Sequence, residues 1–131
     1  MTDANAPYHA HVYYEPAERP IAAALHRALE AARDSGQPAR VLFVGRLMER
    51  PVGPHPLPQF EAHFPFGALD SLRPLFEATG LRTLLHPLTQ DDVADHTSLA
   101  TWIGTPVPLD LSVLDPPGHN QAIPRYGASD F

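Results

Sequence analysis

The spacing of apolar and polar positions changes along the chain in a way that separates strands from helices. In "YHAHVYYEP", residues 8–16, Ala10, Val12 and Tyr14 share one face of an extended segment, and His9, His11 and Tyr13 share the other. This predicts a first strand over about 8–15. "EPAERPIAAALHRALEAARDSG" switches to helical spacing, with Ile21, Leu25, Ala28, Leu29 and Ala32 on one face. Pro20 suits the first turn, and Gly36 suits the left-handed position that ends the helix. The continuous apolar run "ARVLFVGRL", 39–47, predicts a second strand. "ERPVGPHPLP", 49–58, is punctuated by X-Pro bonds and a glycine and reads as a loop. "QFEAHFPF", 59–66, alternates again, with Phe60, Ala62 and Phe64 on one side and Glu61 and His63 on the other.

"GALDSLRPLFEATG" predicts a second helix that starts near Asp70 or Ser71, which keeps Pro74 in its first turn, and stops at Gly80. "LRTLLHP", 81–87, predicts a fourth strand, with Leu85 inward and His86 outward. "TQDDVADHTSLATWIG" reads as a short third helix, with Thr89 and Asp92 placed like a capping box. Residues 1–7 read as a loose arm. The proline-rich segment from 105 onward is expected to wrap the surface, with its last dozen residues mobile. The order β-α-β-β-α-β predicts an α+β, ferredoxin-like sandwich: one antiparallel sheet with both helices on one face, plus the short helix and extended tail. The first strand should lie between the third and the fourth, and the second face of the sheet should stay open. One domain over 1–131 is expected, with its core at about 8–114 and a tail at 115–131.

Composition narrows the function. A chain of 131 residues, 44% of them hydrophobic, can bury one core. The formal net charge is -6, and the arginines that carry all the positive charge are scattered, so no basic stripe points to nucleic acid. The absence of cysteine removes disulfides, iron–sulfur clusters and thiol catalysis, and leaves any metal to histidine and carboxylate. No apolar stretch reaches the roughly 18 residues of a membrane span. "MTDANAP" carries no signal-peptide pattern, so a cytoplasmic protein is expected.

The candidate chemistry lies in the histidines. Antiparallel pairing should bring His86 beside His9 and His11, on the face that also carries Tyr13, Glu61 and His63. His96 starts close to the same end of the sheet. Several imidazoles with carboxylates nearby suit a divalent Fe, Zn, Cu or Ni; polar residues on a half-wet sheet would give the same pattern. His55 in "GPHP" and His86 in "LHPLT" both precede proline, which restricts the backbone before it. Asp92 stands four residues before His96 and could orient its ring. Tyr13 reads as a rim residue or a proton donor. Trp102 reads as packing for the third helix or as a wall of an aromatic pocket. Arg82 reads as a surface residue or as a partner for a substrate carboxylate.

"YHAHVYYEP", "GPHPLPQFE", "LLHPLTQDDVADH" and "ATWIGTPVPLDLSVL" together resemble the DOPA 4,5-dioxygenase family, over about residues 8–114. The resemblance implies extradiol ring cleavage with Fe(II) and O₂ on a catechol such as L-DOPA or a related catechol acid. The family's recurring histidines match His9, His11, His55, His86 and His96, and Glu61 matches in some members. His63 and His26 match none, and His63 is set aside as incidental. The expected metal ligands are His9, His11 and His86, with zinc able to substitute for iron. Glu61 or Glu15 could add a carboxylate. His55 and His96 are the acid/base candidates, with Tyr13 beside them. His55 is expected near Tyr13 and Glu15, on a loop over the site or completing one across a homodimer. The rival readings are a non-catalytic ferredoxin-like dimer that binds a small aromatic or a metal, and a zinc hydrolase or isomerase.

Overall fold

In the computed structural model, which describes residues 3–129 and 131, the sheet has five antiparallel strands. They are β1 (Pro7–Tyr13), β2 (Phe43–Val44), β3 (Gln59–Pro65), β4 (Thr83–Pro87) and β5 (Thr101–Ile103), in the order β2-β3-β1-β4-β5. β1 is central, between β3 and β4, as the βαββαβ reading requires. Helices α1 (Arg19–Ser35) and α2 (Leu69–Thr79) cover one face. The one-turn helix α3 (Asp92–Asp95) follows β4. None of these helices is long and apolar enough to cross a membrane.

The core forms where the alternating strands meet the helices. Ala10, Val12 and Tyr14 face Leu25 and Leu29 of α1 and Leu72 and Phe76 of α2, joined by Phe60, Ala62 and Phe64 from β3. Phe60, Phe64, Leu72 and Phe76 are completely buried. Each contributes roughly 1.5–3 kcal/mol by the area it removes from water. Gly36 and Gly80 end the two helices at φ 76° and 71°, the left-handed geometry that glycine adopts without strain.

Several local expectations are corrected. The buried stripe of α1 is Ala22, Leu25, Leu29 and Ala32, so Ile21 and Ala28 face solvent. Helix α2 starts at Leu69, and Pro74 lies in its interior. Pro74 sits on the exposed side, where water can reach the Asp70 carbonyl that it leaves without a helical partner. The second strand shrinks to two residues on the sheet edge. Gly45 follows it because a Cβ there would stand 2.8 Å from Glu61 Cγ. The third helix stops after one turn, capped by the Asp91 carboxylate on the Ala94 N–H, while Thr89 instead binds Asp95. The β-branched and aromatic run Thr101–Ile103 then pairs with the free edge of β4 as a fifth strand. The N-terminal arm is not loose at residues 4–6, because the Ala6 and Ala4 carbonyls accept from the Phe66 and Gly67 N–H groups. Positions 1 and 2 of that arm, and position 130 of the tail, lie outside the described residues.

The largest correction concerns the face expected to be open. The 49–58 loop and the tail close over it. Tyr126 lies above His9 and His63, with ring centroids 6.5 and 6.1 Å away, and Phe131 meets the His55 ring edge-on at 5.7 Å. Asn120 holds the tail down, donating to the Thr89 carbonyl and the Asp95 carboxylate, each at 2.7 Å.

Candidate metal centre

Strand alternation delivers most of the site. β1 points His9, His11 and Tyr13 to the covered face. Register sets His9 between His63 on β3 and His86 on β4, with His11 beside Glu61 and Tyr13 beside Gln59. The loop brings in His55, and the end of α3 brings in His96. These six histidines are all buried. The His11 ring lies 4.2 Å from His55, and the His86 ring 4.3 Å from His96. His9 stacks flat on His63 at 3.6 Å.

Hydrogen bonds fix which ring nitrogens carry protons. The Pro87 carbonyl can only accept, so His86 donates from Nδ1 at 2.7 Å and its Nε2 holds a lone pair. His96 likewise donates from Nδ1 to the Asp92 carbonyl at 2.8 Å. The expected role of Asp92 is thus performed by its backbone, and its carboxylate stands 3.4 Å away. His11 donates from Nδ1 to Gln59 Oε1 at 3.0 Å. The Nε2 lone pairs of His11 and His86 then face each other at 3.1 Å. Two lone pairs repel at that distance unless a cation lies between them. Metal–nitrogen bonds of about 2.0–2.1 Å place neighbouring ligand nitrogens about 3.0–3.4 Å apart, which fits.

Burial also keeps these rings in their ligand form. It pushes the His9, His11, His55 and His86 pKa values well below the usual imidazole range, and the neighbouring histidines push in the same direction. One donor nitrogen from each of His9, His11 and His86 lies within 4.8 Å of the others, so this buried triad could hold a metal ion. His9, Glu61 and His63 form a second such group. There, however, the Gly127 N–H donates to His63 Nδ1 at 3.0 Å. That uses the ring's lone pair and leaves Nε2–H facing Glu61 Oε2 at 3.3 Å. His63 is therefore part of the site's frame, stacked on His9, and not the incidental residue its lack of a motif suggested.

Tyr13 is buried, and its hydroxyl lies 2.6 Å from His55 Nδ1. Burial raises the phenol pKa, so the hydroxyl keeps its proton and donates it to Nδ1. His55 then carries its own proton on Nε2. Trp102, on β5 rather than on a helix, stacks on Tyr13 at 5.8 Å. Glu15 is exposed at the start of the turn before α1 and pairs with Arg82 at 3.5 Å, so of the two candidate carboxylates only Glu61 lies among the histidines. His26 sits on α1 and contacts the Gly45 carbonyl at 2.9 Å, away from the cluster. Gln59 was missed as a candidate, although its position in phase with Glu61 and His63 was a usable signal.

A cavity opens onto His11, His55, His86 and His96, walled by Pro54, Val113 and residues of the tail.

A family model described as the Dopa 4,5-dioxygenase family matches residues 8–113. The chain is 33% identical over 113 residues to a DOPA 4,5-dioxygenase of Amanita muscaria, covering 82% of this chain and 49% of that protein. It is 36% identical over 84 residues to an uncharacterized 21.2 kDa protein of Botryotinia fuckeliana, covering 56% of this chain and 45% of that one. The chain thus spans about half the length of these curated relatives. A crystal structure of a candidate dioxygenase from Nostoc punctiforme is 32% identical, with a TM-score of 0.73 over 86% of this chain and 96% of that one.

Proposed function

The chain belongs to the Dopa 4,5-dioxygenase family, and from that premise we propose that it is a metal-dependent extradiol dioxygenase acting on a catechol such as L-DOPA or a related catechol acid. The observation that carries this reading is the pair of Nε2 lone pairs converging at 3.1 Å from His11 and His86, with His9 beside them. These three residues would hold Fe(II). When bound, the metal supplies a point where catechol and O₂ meet and makes the catechol hydroxyls more acidic.

The remaining residues divide the proton work. His96, anchored through Nδ1, presents its Nε2 lone pair to the cavity and accepts the proton that a catechol hydroxyl loses on binding. His55, held by Tyr13, presents Nε2–H and donates to substrate oxygen. The tail and the 49–58 loop keep bulk water from the buried rings. Ring cleavage inserts both atoms of O₂, breaks the carbon–carbon bond next to the diol and yields one aldehyde and one carboxylic acid, which ionises. The reaction needs no external reductant.

The test is anaerobic loading with Fe(II), then addition of L-DOPA and air while the visible spectrum and oxygen uptake are recorded. A yellow product formed with one O₂ consumed per catechol is expected. A protein that holds Fe(II) but consumes no oxygen with L-DOPA, caffeate or protocatechuate would overturn the reading.

A further inference from the structure

The family match ends at residue 113 and assigns nothing to the tail residues that wall the histidine cavity. Phe131 is one of them. Among the described residues lining that cavity, it is the only phenylalanine, tyrosine or tryptophan. Pro54, Val113, Leu114 and Ala122 supply the rest of the apolar wall.

The Phe131 ring sits in a shaped seat. Its edge rests on Gly53, where a Cβ would stand 2.8 Å from Phe131 Cε1, so no side chain fits beneath it. Gly53 also takes a φ of 53°, the left-handed geometry that glycine adopts without strain. The ring meets His55 at 86°, the edge-to-face contact that aromatic rings favour. Ser129 holds the backbone: its hydroxyl donates to the Phe131 carbonyl at 2.9 Å and accepts the Phe131 N–H at 3.2 Å. Yet Phe131 is 41% exposed and belongs to neither hydrophobic cluster of the core. Core packing therefore does not account for a ring held in this place. Ring centroids step 5.7 Å from Phe131 to His55 and 4.2 Å from His55 to His11, which sets Phe131 close to the candidate metal ligands.

We propose that Phe131 is a specificity-determining residue whose exposed ring packs on the ring of the bound catechol, so that this chain favours a flat aromatic chelator over a non-aromatic one with similar donor atoms. The proposal rests on the ring-cleaving reading above. A catechol whose oxygens reach the His11 and His86 end of the cavity extends its ring toward the wall where Phe131 stands. Packed aromatic rings gain beyond the area they bury, by up to about tenfold in binding. The contact is made alike by the bound substrate and by the reacting one, so it acts on KM and not on kcat.

The test compares 4-methylcatechol with acetohydroxamate, which also chelates a metal through two oxygens but has no ring. Binding to the zinc-loaded protein is measured by calorimetry without oxygen, for the natural chain, Phe131→Ala, Phe131→Leu and Phe131→Tyr. Phe131→Ala should weaken 4-methylcatechol about tenfold and leave acetohydroxamate within about twofold. Phe131→Leu keeps apolar bulk over Gly53 and should still lose about threefold on the catechol, whereas Phe131→Tyr keeps the ring and should stay within about twofold. With Fe(II) and O₂, KM for the catechol should rise in Phe131→Ala while kcat holds. If the natural chain binds 4-methylcatechol and the Ala and Leu variants bind it equally well, or lose both ligands to the same extent, the role of Phe131 is overturned and ring cleavage stands. A natural chain that holds zinc and does not bind 4-methylcatechol overturns the two readings together.

Discussion

His11 and His86, 75 positions apart in sequence, bring their Nε2 atoms to 3.1 Å. The other nitrogen of each ring donates elsewhere, His11 to Gln59 and His86 to the Pro87 carbonyl. Replacing either histidine by alanine should abolish stoichiometric Zn(II) or Fe(II) uptake. In the natural chain, metal at one hundred times its Kd should add about 2.7 kcal/mol of stability. Thermal melts with and without metal would show that gain, and its persistence in both His11→Ala and His86→Ala would move the centre elsewhere.

In the proposed centre Gln59 would act through His11, whose Nδ1–H it accepts at 3.0 Å. Ligand histidines usually donate their second N–H to an outer partner, whose loss costs about 10- to 100-fold in metal affinity. Gln59→Leu keeps the side chain's bulk and removes the acceptor, so a loss of that size is expected in a competitive chelator titration. An unchanged affinity would mean that Gln59 only fills space.

Tyr13 holds His55 through a 2.6 Å hydrogen bond while its ring packs on Trp102 and Leu84. Tyr13→Phe keeps the packing and frees the imidazole. Stability should fall by only about 1 kcal/mol. Turnover should fall by about 100-fold with little change in KM, because the role proposed for His55 is on the proton and not on binding. Steady-state kinetics beside a urea melt separates the two effects.

Acidification should destabilise the metal-free protein. The pKa values of His9, His11, His55 and His86 are depressed in the folded chain, chiefly by burial. As pH falls below the ordinary histidine value of about 6.5, the unfolded chain takes up protons that the folded chain refuses. Each such group contributes up to about 1.4 kcal/mol of lost stability per pH unit. Urea melts at pH 8, 7, 6 and 5 should be level above about pH 7 and fall steeply below it. A flat profile would mean that these rings protonate freely in the folded state.

The tail depends on Asn120, which is buried and donates to Thr89 and Asp95. The Asp95 carboxyl pKa is raised by burial, with the Thr89 hydrogen bonds opposing the rise. Asn120→Ala removes a donor from that buried carboxyl and should cost about 1–3 kcal/mol. It should also open the segment after 120 to limited proteolysis, which would be seen as a shortened fragment by mass spectrometry. Equal protease resistance in the two proteins would count against Asn120 as the clasp.

Much of the site was legible in the sequence because it rests on a local rule. Successive side chains of a strand alternate, so 9, 11 and 13 share a face wherever the strand goes, as do 61 and 63. The βαββαβ order then set His86 beside His9, and the register bears this out. The resemblance named the Dopa 4,5-dioxygenase family, which the family match shows. Tertiary structure alone decided the rest. Whether the histidine face is wet or sealed depends on a proline-rich tail with no repeating apolar period, whose path is set by single hydrogen bonds such as that of Asn120. His63 joined the site through its stack on His9 and a Gly127 N–H 64 positions away, a contact that no local pattern encodes. Thr101–Ile103 became a strand because β4 offered an unpaired edge, which outweighs the helical reading of its sequence. Local geometry dictates which side chains share a face, and only long-range packing dictates what covers them.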